Sequence, residues 1–178
     1  MGFAAYSAGG LPAAIDNLLF VLALFACVVA HEFGHALMAR RFGIKTPDIT
    51  LLPIGGLARL ERMPEKPLQE VLVALAGPAV NIVIWVILVA FGAGLPIETL
   101  SQIDSPGIGF LNRLAYINLL LAVFNMIPAF PMDGGRVFRA LLCLRMDRVK
   151  ATRVAAVGGQ IVEVGLGFLG LSSGNPFL

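Results

Sequence analysis

Residues 18–30 read Leu-Leu-Phe-Val-Leu-Ala-Leu-Phe-Ala-Cys-Val-Val-Ala and run directly into His31-Glu32-Phe33-Gly34-His35. No residue of the apolar run is polar, so a helix over it has no wet face and wants apolar surroundings on every side. His31 and His35 are the only two histidines in the chain. Positions i and i+4 share a helix face, about one turn apart. The run alone is too short for a bilayer core, which takes about 20 helical residues. It reaches that length only if His31, Glu32 and His35 lie inside the membrane as well. Ionisable groups there are tolerable when a metal compensates them.

The rest of the chain supports a membrane setting. Charged residues make up 13% and hydrophobic residues 58% of the 178, against about 25% charged in soluble domains. Mean hydropathy is +0.87. Val71 to Ile97 and Leu114 to Met132 contain no Asp, Glu, Lys or Arg. Val154 to Leu171 is a fourth candidate span, interrupted by Glu163. The expectation is an all-α polytopic membrane protein with about four transmembrane helices in a single domain over 1–178.

Net charge is only +2, but its distribution carries information. Arg40, Arg41, Lys45, Arg59, Arg62 and Lys66 lie between the first two spans. Arg136, Arg139, Arg145, Arg148, Lys150 and Arg153 lie between the last two. Pro96 to Phe110 holds Glu98 and Asp104 and no basic residue. The positive-inside rule puts both basic loops in the cytoplasm and the histidines near the cytoplasmic end of their helix. The N-terminal residues lack the basic n-region of a signal peptide. No nucleic-acid partner is expected; the lipid bilayer is. Cys27 and Cys143 have no zinc-site spacing and read as apolar filler.

The first helix is expected from about Ala13 to Arg41, with Gly43 as its C-terminal cap. Ile49 to Leu60, with Pro53 and Gly55-Gly56 at its centre, reads as two short strands, a small membrane-associated hairpin or sheet. Pro78, in Gly77-Pro78-Ala79-Val80-Asn81, is expected to kink or interrupt the second span. The third span ends in Asn125-Met126-Ile127-Pro128-Ala129-Phe130-Pro131-Met132-Asp133-Gly134-Gly135, which cannot form a regular helix. Irregular backbone at membrane depth must be buried in protein or line a wet cavity, so this segment should face inward. An amphipathic helix is expected from Arg136 to Arg148, then a last helix with small residues at Gly158, Gly159, Gly165, Gly167 and Gly170.

Two imidazoles at i and i+4 suit one zinc ion, with Glu32 placed to act as general base towards water activated there. Catalytic zinc takes three protein ligands. Among the acidic residues, Asp133 alone lies in an inward-facing break at the cytoplasmic end of a span. It is the best third ligand; the alternative is a plain helix N-cap. Asn81 and Asn125 either hydrogen-bond a substrate backbone or oxyanion, or make structural bonds between helices. Asn118 reads as structural. Arg136 reads as part of the basic surface rather than as support for Asp133.

Taken together, HEFGH in one span, GPAVN in a second and NMIPAFPMDGG ending a third resemble the site-2 protease family of intramembrane zinc metalloproteases, in its archaeal and bacterial branch. LLPIGG after the first helix adds to the likeness. The resemblance covers about Leu18 to Gly170. It implies a three-helix catalytic core, one zinc ion on His31, His35 and Asp133, and Glu32 as base. It implies that Asn81 is the asparagine of the family's GPxxN motif, close to the active site, and that Asn125 is the asparagine that opens its NxxPxxPxDG-type motif. It also implies that the strands around Pro53 to Leu60 bind extended substrate, taken from single-span membrane proteins. The family usually has a helix before the HExxH span, and relatives of this branch often carry paired CBS regulatory domains. Both are expected to be missing here. Two other classes stand beside this reading. A non-catalytic scaffold of the same fold would have no need of Glu32. A zinc transporter would need a polar path with ligands in the outer loop, which has none that match.

Overall fold

The computed structural model describes residues 2–44, 48–52, 55–59, 64, 66–94 and 109–172. The expected outer loop at 96–108 and the bend at Pro53-Ile54 fall outside these, as does Leu60. Helix α1 covers Gly2–Arg41 with non-helical backbone at Gly10. Strands β1 (Asp48–Leu52) and β2 (Gly55–Arg59) pair antiparallel, with Thr50 opposite Leu57. Helix α2 covers Pro67–Ala90, α3 Phe110–Asn125, α4 Asp133–Leu142 and α5 Arg148–Ser172.

Three helical stretches are long and apolar enough to cross a membrane by length and composition: Gly10–Arg41, Pro67–Ala90 and Arg148–Gly170. The fourth candidate, α3, is apolar but has only 16 residues. Outward faces are apolar in turn: Leu18, Leu22, Val83, Val86, Val164 and Phe168 are all about half exposed or more. That pattern suits lipid, because a soluble helix would turn such residues inward.

Local chemistry sets the helix ends. After Arg41 the Gly43 N–H donates to the Arg40 carbonyl and the Ile44 N–H to the Ala39 carbonyl, at 3.0 and 3.1 Å. This is a Schellman cap, and it needs the positive φ of 72° that Gly43 adopts. Ile44 then packs on Ala39 and on Val73 of α2, which fixes the end of the histidine helix against its neighbour. At the other end Arg113 of α3 pairs with Asp16 of α1 and lies over the Phe20 ring at 4.7 Å.

Three features differ from the sequence expectation. α2 runs on through Pro78; a proline removes one i→i−4 bond, and here the flanking turns hold the helix together. The amphipathic helix begins at Asp133 and ends at Leu142, with a turn before α5. Of the last helix's glycines, Gly159 packs on Ala129 and Phe130, while Gly165 and Gly167 meet nothing. The small-residue face is therefore not used along its whole length: Gly159 and Gly170 are buried, while Gly165 and Gly167 are exposed.

A buried ion pair ties the ends of three helices. Arg139 of α4 donates to Glu70 in the first turn of α2 through both Nε and Nη2, and Glu70 is 3% exposed. Arg148, at the start of α5, donates to the Pro64 carbonyl at 2.5 Å and lies 3.9 Å from the second Glu70 oxygen. Nothing in the sequence pattern marks this cluster, since its members read as separate loop charges.

Candidate metal centre

α1 is pressed so closely on α2 that Gly77 lies under both imidazoles. A Cβ at Gly77 would collide with Nε2 of His35 and of His31. The GPAVN stretch thus supplies a position without a side chain where the histidine face needs one. α3 ends at Asn125, and the segment to Met132 folds back through local bonds, such as Ala129 N–H to the Ile127 carbonyl at 2.8 Å. The break is buried in protein at Ala129, while Met126, Pro128 and Pro131 are exposed. It delivers Asp133 as the first residue of α4.

There, His31, His35 and Asp133 converge. His31 Nε2 lies 3.2 Å from Asp133 Oδ2, His35 Nε2 lies 3.1 Å from the same oxygen, and the two Nε2 atoms are 3.1 Å apart. All three residues are buried, as is Glu32. Asp133 is not an N-cap: Met132 holds that position, without a side-chain bond. Arg136 comes within 3.9 Å of the other oxygen, Asp133 Oδ1, so it reaches the site's edge rather than belonging wholly to the surface.

The outer nitrogens show which atoms face inward as acceptors. His35 Nδ1 lies 2.8 Å from the Val73 carbonyl. A carbonyl only accepts, so Nδ1 carries the proton and Nε2 of the neutral ring is left with a lone pair. His31 Nδ1 likewise donates to Asn81 Oδ1 at 2.5 Å. Two lone pairs and a carboxylate oxygen then point at one another in a buried space, an arrangement that repels unless a cation sits among them. Donors held about 2.0–2.1 Å from one tetrahedral zinc lie about 3.4 Å apart, close to the spacing here. His–His–carboxylate donors with the outer nitrogens held by hydrogen bonds fit zinc. The trio can hold one metal ion.

The two asparagines part company. Asn81 is fully buried and its Nδ2 donates to Asn118 Oδ1 at 2.9 Å, so both ends of this amide are engaged between helices. Asn125 Nδ2 turns back to the Leu121 carbonyl of its own helix at 3.0 Å. Asn118, read as structural, is joined to the site through Asn81.

The model for Peptidase family M50 matches residues 19–106 and 96–169. The chain belongs to this family of zinc metallopeptidases, the site-2 proteases, as the three motifs implied. It is 39% identical over 161 residues to zinc metalloprotease MJ0392 of Methanocaldococcus jannaschii, covering 90% of this chain and 45% of that protein. It is 40% identical over 168 residues to sll0528 of Synechocystis sp., covering 94% of this chain and 41% of that protein. Among solved structures it matches the site-2 protease from Methanocaldococcus jannaschii with a TM-score of 0.68 and 37% identity, over 88% of this chain and 68% of that one. The chain thus spans less than half the length of these two curated relatives.

Proposed function

We propose that the chain is an intramembrane zinc metalloendopeptidase that hydrolyses peptide bonds within or near the transmembrane segments of single-span membrane proteins. The observation that carries this reading is the buried convergence of His31 Nε2, His35 Nε2 and Asp133 Oδ2 between helices whose outer faces suit lipid. His31, His35 and Asp133 would hold a zinc ion, which would supply a Lewis acid and lower the pKa of water towards about 7. Glu32 takes the proton of the attacking water and returns it to the leaving amine. Asn125, next to the break, is the candidate to steady the oxyanion; Asn81 acts through His31.

In this reading α3 is a fourth span, which completes itself through the Met126–Met132 segment. Both basic loops face the cytoplasm, and the centre lies towards that side. Substrate unwinds and pairs as an extended strand with the hairpin. A transmembrane helix hides its peptide bonds in its own hydrogen bonds, and unwound backbone in lipid needs another strand to satisfy it. β2 lies against α1, the helix that carries the histidines.

The test compares the unaltered chain with Glu32→Gln on a single-span candidate substrate in the same membranes. Glu32→Gln should abolish cleavage and keep about one zinc per chain, because the base is not a ligand. Substantial residual cleavage would move the base elsewhere.

A further inference from the structure

Asn118 lies on α3, away from the metal donors, yet it is wholly buried and engaged on every side. Its Nδ2 is 2.9 Å from the Leu114 carbonyl and 3.3 Å from Cys27 Sγ. Its Oδ1 is 2.9 Å from Asn81 Nδ2, and Asn81 Oδ1 is 2.5 Å from His31 Nδ1. The direction of this row is fixed at its far end. The Leu114 carbonyl only accepts, so the amide nitrogen of Asn118 must face it. The Asn118 oxygen therefore faces Asn81, and only an NH2 group can donate to it. That leaves the Asn81 oxygen facing His31, where only a protonated Nδ1 can donate. Turning either amide over sets donor against donor or acceptor against acceptor at a fully buried place. The assignment of amide oxygen and nitrogen thus follows from a backbone carbonyl rather than from the shape of the side chains.

We infer that Asn118 is a positioning residue: anchored on the Leu114 carbonyl, it sets the tautomer of His31 through Asn81, so that Nε2 offers its lone pair to zinc. The inference rests on the zinc reading of the site. His35 has no such row; a single carbonyl, Val73, sets its tautomer directly. The two ligands are therefore unequal. His35 depends on the backbone of α2, and His31 on side chains from two further helices. Which ring nitrogen binds metal is decided by the bond that the other makes, and losing such outer partners weakens metal binding about 10–100-fold.

With only two histidines in the chain, nitrogen-15 NMR of the zinc-loaded protein in detergent reads each imidazole separately. Asn118→Leu keeps the branched outline of the side chain and removes the acceptor. Cys27→Ala alters packing at the same place without breaking the row. In the unaltered chain the His31 Nδ1–H should be shifted downfield and slow to exchange with water. In Asn118→Leu that signal should move and exchange faster, His35 should stay as it was, and zinc should compete about tenfold less well against a chelator. Cys27→Ala should change none of these. An unmoved His31 signal in Asn118→Leu, or equal changes at His31 and His35, would overturn the inference. Should Asn118→Leu not fold, the unaltered chain still decides: metal on Nδ1 of His31, with the proton on Nε2, overturns it. A chain that binds no zinc before any substitution refutes the underlying zinc reading instead, and the two failures are told apart at the first measurement.

Discussion

A methyl group on the Cα of Gly77 would collide with Nε2 of His35. Gly77→Ala must therefore push the imidazoles off α2 or push the helices apart. Overpacking of this kind costs about 1–3 kcal/mol, and here the strain falls on metal donors. The unaltered chain should hold about one zinc, and Gly77→Ala should hold it more weakly by chelator competition. A His31→Ala, His35→Ala double variant should hold none. Full zinc in that double variant would refute the ligand assignment.

Glu70 and Arg139 make a second prediction. Removing one partner of a buried pair leaves a charge without compensation, at about 3–5 kcal/mol. Either Glu70→Ala or Arg139→Ala should lower the midpoint of thermal unfolding in detergent markedly. A combined Glu70→Leu, Arg139→Leu variant should recover much of the loss. Equal loss in the single and combined variants would mean that the pair's contribution is not electrostatic.

The membrane orientation can be read with single cysteines in a background free of Cys27 and Cys143. Glu65→Cys should react only with reagents that reach the cytoplasm, and Asp104→Cys only from outside. Labelling of position 65 from outside would reverse the topology.

Strand pairing by substrate is tested at consecutive positions of β2. In an antiparallel pair, successive N–H groups alternate between the partner strand and the free edge. Leu57→Pro and Ala58→Pro therefore remove one donor on each side. Cleavage should fall sharply in at least one, with zinc content unchanged. Normal cleavage by both, with zinc retained, would exclude pairing along β2.

What the sequence made legible depended on how far apart the partners lie. His31, Glu32 and His35 were readable because helix geometry alone puts them together. Asp133 was readable by elimination, as the acid that follows the proline-broken end of a span. Asn118 was not, because its part depends on Asn81, 37 positions away, and on the polarity of a backbone carbonyl. The Glu70–Arg139 pair joins positions 69 apart, and composition describes both as ordinary loop charges. The shorter α4 and the unbroken α2 are tertiary outcomes: packing decided where the chain turns and overrode the weak local signal of Pro78.

The first and last donors of the centre are separated by 102 positions. At about 5–20 residues per second of synthesis, roughly 5–20 s pass between the histidines leaving the ribosome and Asp133 following them. Throughout that interval a nascent chain carries two of the three donors without the carboxylate that joins them. The centre can close only once α3 has formed and the segment after it has turned back into α4. A chain built this way stays inert while it is being made, and its competence to bind metal is a timer on its own assembly.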